Sequence, residues 1–557
     1  MSLLKKGKKK PLKMRASGSG GQISAKRPQQ VEKLAPCIGT CGASNDVRGW
    51  ITTIAQRKKT GLDDVTAYTK AWRILAETNP LAATMGRICP HPCQDGCNRK
   101  EKDGAVSINA MERFIGDWAI EHKLAFEKLE TDTKPESIGV IGAGPAGLAF
   151  AYQMARRGYP VTIYEALAHA GGMLYYGIPF YRLPADILKA EIDRIVDLGV
   201  ELRLNTKVGK DVTLEELRAK HKVLFLGIGA HKGRPMRIPG EEGQGFFTGT
   251  EYLRRINKGE KIDVGKHVTI VGGGDTAIDA ARIARRAGAE VTIAYRRTRT
   301  EMPAIDSEVE DALKEGVKIE FLILPIEAKR DASGKLTGMV LQRMELGEPD
   351  DSGRRRPVPI EGSEFEQPVD TIIAAISQNA DWGPLPEIKP DGWLQPDATG
   401  KIGDELWAGG DVIDLGIAVT AMGHGNRAAK AVHEQLRGLD VPKRVLHDIT
   451  KDNLILSYYE DKEPAKVSHR PTEEWLSKPD QEISLGITED QFLEEADRCF
   501  SCGLCFGCER CWMYCTPSCF TKVENPAPGN YYTIRLDTCD GCNKCVESCP
   551  CGFLTMV

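Results

Sequence analysis

The sequence predicts a multidomain α/β chain in which two Rossmann-type nucleotide-binding units are flanked by a helical domain and a small C-terminal α+β domain. Three observations carry this reading. Two segments, 138–165 and 267–297, each read as strand, glycine turn, helix and strand. All seventeen cysteines lie at the two ends of the chain: five between Cys37 and Cys97, twelve between Cys499 and Cys551. Within the last sixty residues one cysteine spacing occurs twice.

The first unit runs IGVIGAGPAGLAFAYQMARRGYPVTIYE. Gly142 allows the tight turn, Gly144, with Pro145 and Ala146 after it, lets the backbone approach a pyrophosphate, and Gly147 lets the helix pack on the strand. The phosphates would then sit at a helix N-terminus. Glu165, at the end of the second strand, is positioned to accept from a ribose hydroxyl. In the second unit Gly272, Gly273, Gly274, Asp275, Thr276 and Ala277 form the turn, and Arg296 and Arg297 stand where the first unit has an acid. Arginines there can pair with a 2′-phosphate. The first unit is therefore expected to hold FAD and the second a nicotinamide nucleotide, NADPH in preference to NADH. The bland alternatives are a ligand-free glycine turn and a solvated arginine pair.

Length allows three or four domains with their own cores. A net charge of −3 and a pI near 6.4 argue against nucleic acid as a partner. No run of eighteen apolar residues is present, so no membrane span is expected. The basic N-terminal stretch lacks an apolar core and is not read as a secretory signal. The expected location is the cytoplasm, where cysteines indicate metal or cluster chemistry in preference to disulfides. The absence of cysteine between Cys97 and Cys499 excludes a redox disulfide beside the flavin.

Taken in order, residues 1–30 form a basic, flexible arm. A helical domain spans 31–131 and carries Cys37, Cys41, Cys89, Cys93 and Cys97 in PCIGTC and ICPHPCQDGC. Iron–sulfur and zinc both suit such thiol-rich motifs, and spacing does not separate them. An FAD-binding domain covers 132–265 and 381–445, interrupted by the nucleotide-binding domain at 266–380. Residues 446–494 read as a charged linker with short helices, and 495–557 as the C-terminal domain.

From Pro36 to Ala429, about seventy per cent of the chain, the sequence resembles the small, flavin-containing subunit of glutamate synthase and its relatives. The resemblance rests on Asn79-Pro80, Gly86-Arg87-Ile88-Cys89-Pro90, the run from Gly171 to Pro179, Arg182-Leu183-Pro184, Tyr295-Arg296-Arg297, Glu301-Met302-Pro303-Ala304 and Gly409-Gly410-Asp411. It implies a glutathione-reductase-like arrangement, with the nucleotide domain inserted in the FAD domain. By this resemblance Gly172, Met173, Arg182 and Val208 contact FAD, and Gly410 and Asp411 lie at the ribityl chain. The helix beginning near Thr420 and Ala421 then aims its positive end at the flavin ring. Ser377 stands where relatives usually carry glycine, near the nicotinamide. The family's helical domain holds two [4Fe–4S] clusters and needs a leading CxxC. No cysteine precedes Cys37, so one cluster is expected. Carried over by position, its ligands are Cys41, Cys89, Cys93 and Glu112, or an all-cysteine set that uses Cys37 and Cys97 in the same site.

At the C-terminus, Cys539, Cys542, Cys545 and Cys549, followed by Pro550, fit CxxCxxCxxxCP, and the frame Cys505, Cys508, Cys511, Cys515 repeats it. In two-cluster ferredoxins the fourth cysteine of each motif serves the other cluster. Cys505, Cys508, Cys511 and Cys549 are thus expected to hold one cluster, and Cys539, Cys542, Cys545 and Cys515 the other. Cys499, Cys502, Cys519 and Cys551 receive no role.

These features describe an NAD(P)H:acceptor oxidoreductase with FAD and three [4Fe–4S] clusters, whose electrons are exchanged with a partner redox protein. No catalytic residue beyond the cofactors is visible. The FGCERCWMYCTP run resembles the flavoprotein that works with dissimilatory sulfite reductase in sulfur metabolism. Equally similar are flavoprotein subunits of 2-oxoacid:ferredoxin oxidoreductases and of glutamate-synthase-type complexes. An alternative of another class is a wiring module without nucleotide activity, against which the intact second glycine turn speaks. A homodimer is compatible with cluster ligands on both sides of the flavin domain.

Overall fold

The computed structural model describes residues 24–351, 353–442 and 445–557. Two parallel sheets form its centre. The first has the order Lys401–Gly403, Leu406–Ala408, Val223–Leu226, Ile138–Ile141, Val161–Tyr164, Glu201–Arg203. All its neighbours are parallel except the first pair. Its inner strands are buried throughout, as unbroken apolar runs such as VLFL require. The second sheet has the order Lys318–Phe321, Glu290–Tyr295, His267–Val271, Thr371–Ala374, Phe246–Thr248, all parallel. A four-stranded antiparallel sheet built from residues 323–368 adjoins it.

The insertion begins earlier than expected. Phe246–Thr248 pairs in parallel with Thr371–Ala374, so the nucleotide unit starts near 246 and not at 266. Three residues are too short a run for periodicity to say which sheet they join. The two crossings between units lie together, where Gln378–Asn379 pairs antiparallel with Lys232–Gly233. The units are also locked by a buried ionic cluster. Arg182 donates to both Asp279 oxygens at 2.8 Å, and Arg282 pairs with Glu308 and Glu315 at 2.7 and 2.8 Å.

The N-terminal helices are started by local chemistry: Asp46 and Asp63 accept from the backbone of Gly49 and Thr66 and cap Val47–Ala55 and Asp64–Ala76. In the second helix Tyr68, Ala71, Trp72, Leu75 and Ala76 fall on one buried face. That face does not close a separate core. One continuous apolar cluster joins Trp50, Trp72 and Met111 of these helices to Phe150, Phe225 and Met422 of the flavin-side unit.

Both ends of the chain depart from expectation. Residues 1–23 of the basic arm lie outside the described residues, but Pro28–Gln30 is a strand paired antiparallel with Leu554–Met556. Alternation is invisible over three residues, and pairing across the whole chain leaves no local signal. Residues 446–494 carry short helices as expected but are not a free tether. Arg87 and Arg113 bind Glu482 at 2.8 and 3.0 Å, and the Trp475 ring faces Arg282 at 5.7 Å. The charges that suggested solvation find partners on other domains.

Candidate functional site

Three kinds of cavity follow one another through the molecule. The flavin-side cavity, about 400 Å³, is lined by Gly142, Gly144, Pro145, Ala146, Glu165, Gly172, Met173, Arg182, Val208, Gly410, Asp411 and Ala421. Its entrance is built by the first glycine turn. Gly142 has φ of +100°, and a Cβ there would lie 2.4 Å from the Gly227 carbonyl oxygen. At Gly144 a Cβ would meet nothing closer than the Gly172 Cα at 3.9 Å, which leaves the backbone open to a phosphate. Gly147 does not line the cavity; it lets the helix Pro145–Arg156 settle on the strand before it.

Glu165 is buried, and its two oxygens accept from the backbone of Ala143 and Leu167 at 2.8 and 2.9 Å. This holds the carboxylate at the cavity wall with lone pairs left for a ribose. Burial pushes the Asp411 carboxyl up to about 6. Arg182 lines the cavity, but its guanidinium is engaged with Asp279. Its charge is thereby balanced, so it braces the two units and is not an uncompensated phosphate donor. The helix expected near Thr420 spans Ala418–Arg437, with Gly416, Ile417 and Ala418 at the cavity. Thr420 faces away, against Gly42 of the N-terminal domain.

The second cavity, about 660 Å³, is lined by Gly272, Gly273, Gly274, Thr276, Arg296, Arg297 and Ser377. Thr276 and Gln378 line both cavities, so the two are contiguous. A Cβ at Gly274 would meet nothing within 4 Å, and Ala277 is buried beneath the turn. Asp275 faces the flavin side, where it accepts from the Ile305 backbone at 3.0 Å. The two arginines are not equivalent. Arg296 is exposed at the cavity, whereas Arg297 is buried and donates to Asp350 at 2.6 Å and to the Arg355 carbonyl at 2.8 Å. Arg297 thus holds Asp350 and Arg355, and Arg354 beside them lines the cavity, a residue the sequence pattern had not singled out.

Beyond the flavin-side cavity lie the thiols. Cys41, Cys89, Cys93 and Glu112 line one common cavity, as expected by position. Asn79 Nδ2 donates to Glu112 Oε1 at 2.6 Å, and burial pushes that carboxyl up to about 8 and the Cys89 thiol to about 12. Ligation by a metal would supply the charge that burial disfavours. Cys37 and Cys97 are not in this cavity; they line a neighbouring one, so the all-cysteine alternative is not assembled. Cys89 also lines the flavin-side cavity, and Val419 of the flavin-side helix lines the thiol cavity.

At the C-terminus the crossed pattern takes shape. Cys505, Cys508 and Cys549 lie around Cys511, whereas Cys515, Cys539, Cys542 and Cys545 share a separate cavity with Cys519. Cys551 Sγ lies 3.9 Å from Cys549 Sγ. All cysteines are free of disulfides. No described helix is long and apolar enough to cross a membrane.

Comparison with known proteins agrees with this order of parts. Residues 136–432 match the family described as pyridine nucleotide-disulphide oxidoreductase, and residues 10–124 match dihydropyrimidine dehydrogenase domain II, 4Fe-4S cluster. The chain is 37% identical over 513 residues to the NADPH-Fe(3+) oxidoreductase subunit beta of Geobacter sulfurreducens, covering 84% of this chain and 75% of the relative. It is 41% identical to the NADP(+)-dependent formate dehydrogenase subunit beta of Moorella thermoacetica, covering 72% and 60%. The glutamate synthase [NADPH] small chain of Escherichia coli is 31% identical, with 76% of this chain and 95% of the relative aligned. The family's name carries no redox disulfide to this chain, which has no cysteine between Cys97 and Cys499. With an FAD- and NAD(P)H-binding core joined to 4Fe–4S motifs, the chain belongs to the pyridine nucleotide-disulphide oxidoreductases as a glutamate synthase small-chain-like, FAD-dependent iron–sulfur oxidoreductase.

Proposed function

We propose that the protein is an NADPH:acceptor oxidoreductase that passes electrons from the nucleotide cavity, through the flavin-side cavity and the N-terminal thiols, to the C-terminal two-cluster unit and then to a partner redox protein. The observation that carries this is contiguity: Thr276 and Gln378 belong to both nucleotide cavities, and Cys89 belongs to both the flavin-side and the thiol cavity. FAD, when bound, takes an electron pair from the nicotinamide and delivers electrons singly to clusters. The chain's own part is to hold these groups in sequence. Gly144 and Gly274 open the backbone to phosphates, Glu165 offers its carboxylate to a ribose, and the positive end of Ala418–Arg437 faces the flavin side. Arg296, with Arg354 beside it, supports recognition of a 2′-phosphate and hence NADPH over NADH.

The partner is read as the other subunit of a soluble, cytoplasmic complex. The relatives described above are named as subunits of Fe(3+)-reducing, formate-oxidising and glutamate-forming enzymes. None of these is named for sulfite reduction, so that pairing has only the FGCERCWMYCTP run behind it. Anaerobic titration of the holoprotein with NADPH tests the reading: flavin absorbance should bleach, and the EPR signals of reduced clusters should follow. Flavin that bleaches while every cluster stays oxidised would refute it.

A further inference from the structure

Four cysteines without a place in the scheme above meet in one cavity. Cys37 and Cys97 come from the N-terminal helical domain, and Cys499 and Cys502 come from the segment before the ferredoxin motif. The two pairs are some 400 residues apart in sequence. The C-terminal pair is held on the N-terminal domain by contacts of its own. Arg498 donates to the carbonyls of Gly104 and Ala105 at 2.8 and 3.0 Å, Glu495 accepts from Ser107 N at 2.8 Å, and Thr52 and Ser501 bond through their hydroxyls at 3.0 Å.

The surroundings suit a buried anionic group. Arg48, 2% exposed, lines the cavity, and its Nε has no hydrogen-bond partner. Arg99, equally buried, lines it too. Sulfurs already accept hydrogen bonds, from Ser501 N to Cys499 at 3.4 Å and from Asn98 Nδ2 to Cys502 at 3.6 Å. Such bonds to sulfur are among the features that tune iron–sulfur potentials. Among the described residues no group of three or more His, Cys, Asp or Glu is arranged to hold a single ion. A zinc ion needs thiolates about 2.3 Å from one centre; a polynuclear cluster needs them spread.

We propose that Cys37, Cys97, Cys499 and Cys502 ligate a fourth [4Fe–4S] cluster, assembled from both ends of the chain. Its place is between the flavin-side thiols and the ferredoxin. Val47 and Ile108 line both this cavity and that of Cys41, Cys89 and Cys93. On the other side the Tyr459 ring lies tilted against Phe500, with centroids 4.2 Å apart, near Cys499, Cys502, Cys508 and Cys551. The cluster would be a one-electron station on the proposed relay and rests on that reading for its role, but its existence is decided by metal content alone.

The test uses full-length holoprotein purified anaerobically. Four clusters require about sixteen irons per chain, where three require about twelve. The double variant Cys499→Ser/Cys502→Ser should drop the count by about four and remove one reduced-cluster EPR signal. Cys37→Ser/Cys97→Ser, at the other end of the chain, should remove the same signal. A wild-type count of about twelve or fewer overturns the proposal, and it decides the matter even if a variant fails to fold. So does a double variant that keeps its iron and signals, or one that loses a zinc ion instead of iron.

Discussion

The two thiol-rich ends of this chain differ in how their sites are made. In the C-terminal unit every thiol expected as a ligand lies within Cys505–Cys549: Cys505, Cys508 and Cys549 lie around Cys511, and Cys515, Cys539, Cys542 and Cys545 line one cavity, the grouping that spacing predicts. In the N-terminal domain the site of Cys41, Cys89, Cys93 and Glu112 needs two stretches of chain some fifty residues apart, and its neighbour needs both chain ends. A CxxC motif followed by a turn confines its sulfurs to one small volume whatever the rest of the chain does. A composite site exists only when separate segments pack, so it also couples cluster binding to folding of the whole. Loss of ligands at the ferredoxin end should therefore leave the N-terminal signals intact.

The largest expected effect is at the junction with the flavin. Cys89→Ser should abolish reduction of the partner and of the ferredoxin clusters while NADPH still bleaches the flavin, as stopped-flow mixing under argon would record. If the ferredoxin clusters were still reduced at the wild-type rate, the flavin would have another outlet and the two ends would be parallel branches. Next comes Cys542→Ser, at the one exposed cysteine of the chain. Transfer to the protein partner should fall to background, with NADPH-dependent dye reduction and all other cluster signals intact. Loss of the N-terminal signals as well would erase the contrast between a local and a composite site.

A smaller effect is expected at the nucleotide end. Each charge-assisted bond lost in Arg296→Ala/Arg354→Ala should cost about 1.5–3 kcal/mol, or roughly 10- to 100-fold in the NADPH constant per bond. The NADH constant should hardly change, and steady-state kinetics with both nucleotides distinguish the cases. Arg297→Ala should act differently, by releasing Asp350 and the Arg355 carbonyl, which it holds beside Arg354.

The smallest effect concerns pH and the flavin-side sheet. His221 lies buried between Ser137 Oγ, 2.7 Å from Nδ1, and the Tyr164 hydroxyl, 2.9 Å from Nε2. Burial first, then the charges of Lys220 and Arg203, push its pKa down from 6.5 to about 4. The folded value lies below the unfolded one, so the stabilisation is full above pH 6.5 and is lost as pH falls from there towards 4. His221→Gln should flatten that acid limb in urea denaturation series run at stepped pH. An unchanged limb would place the acid sensitivity elsewhere, with the composite thiol sites as the next place to look.

By itself the sequence determined what short-range chemistry controls. Glycine turns at 142–147 and 272–277 need particular backbone freedom, buried strands need unbroken apolar runs, and cysteine spacing divides the C-terminal sulfurs into two sets. These were legible because each is encoded within some thirty residues. Tertiary structure decided the rest. It assigned Phe246–Thr248 to the second sheet, gave Arg182 and Arg297 the carboxylates of Asp279 and Asp350 as partners, paired residues 28–30 with 554–556, and set Cys499 and Cys502 beside Cys37 and Cys97. In each case the deciding partner lies far along the chain or on another domain. A single sequence carries no local mark of such a partner, because side-chain charge and thiol chemistry look the same whether they face a ligand, a counter-ion or a second strand.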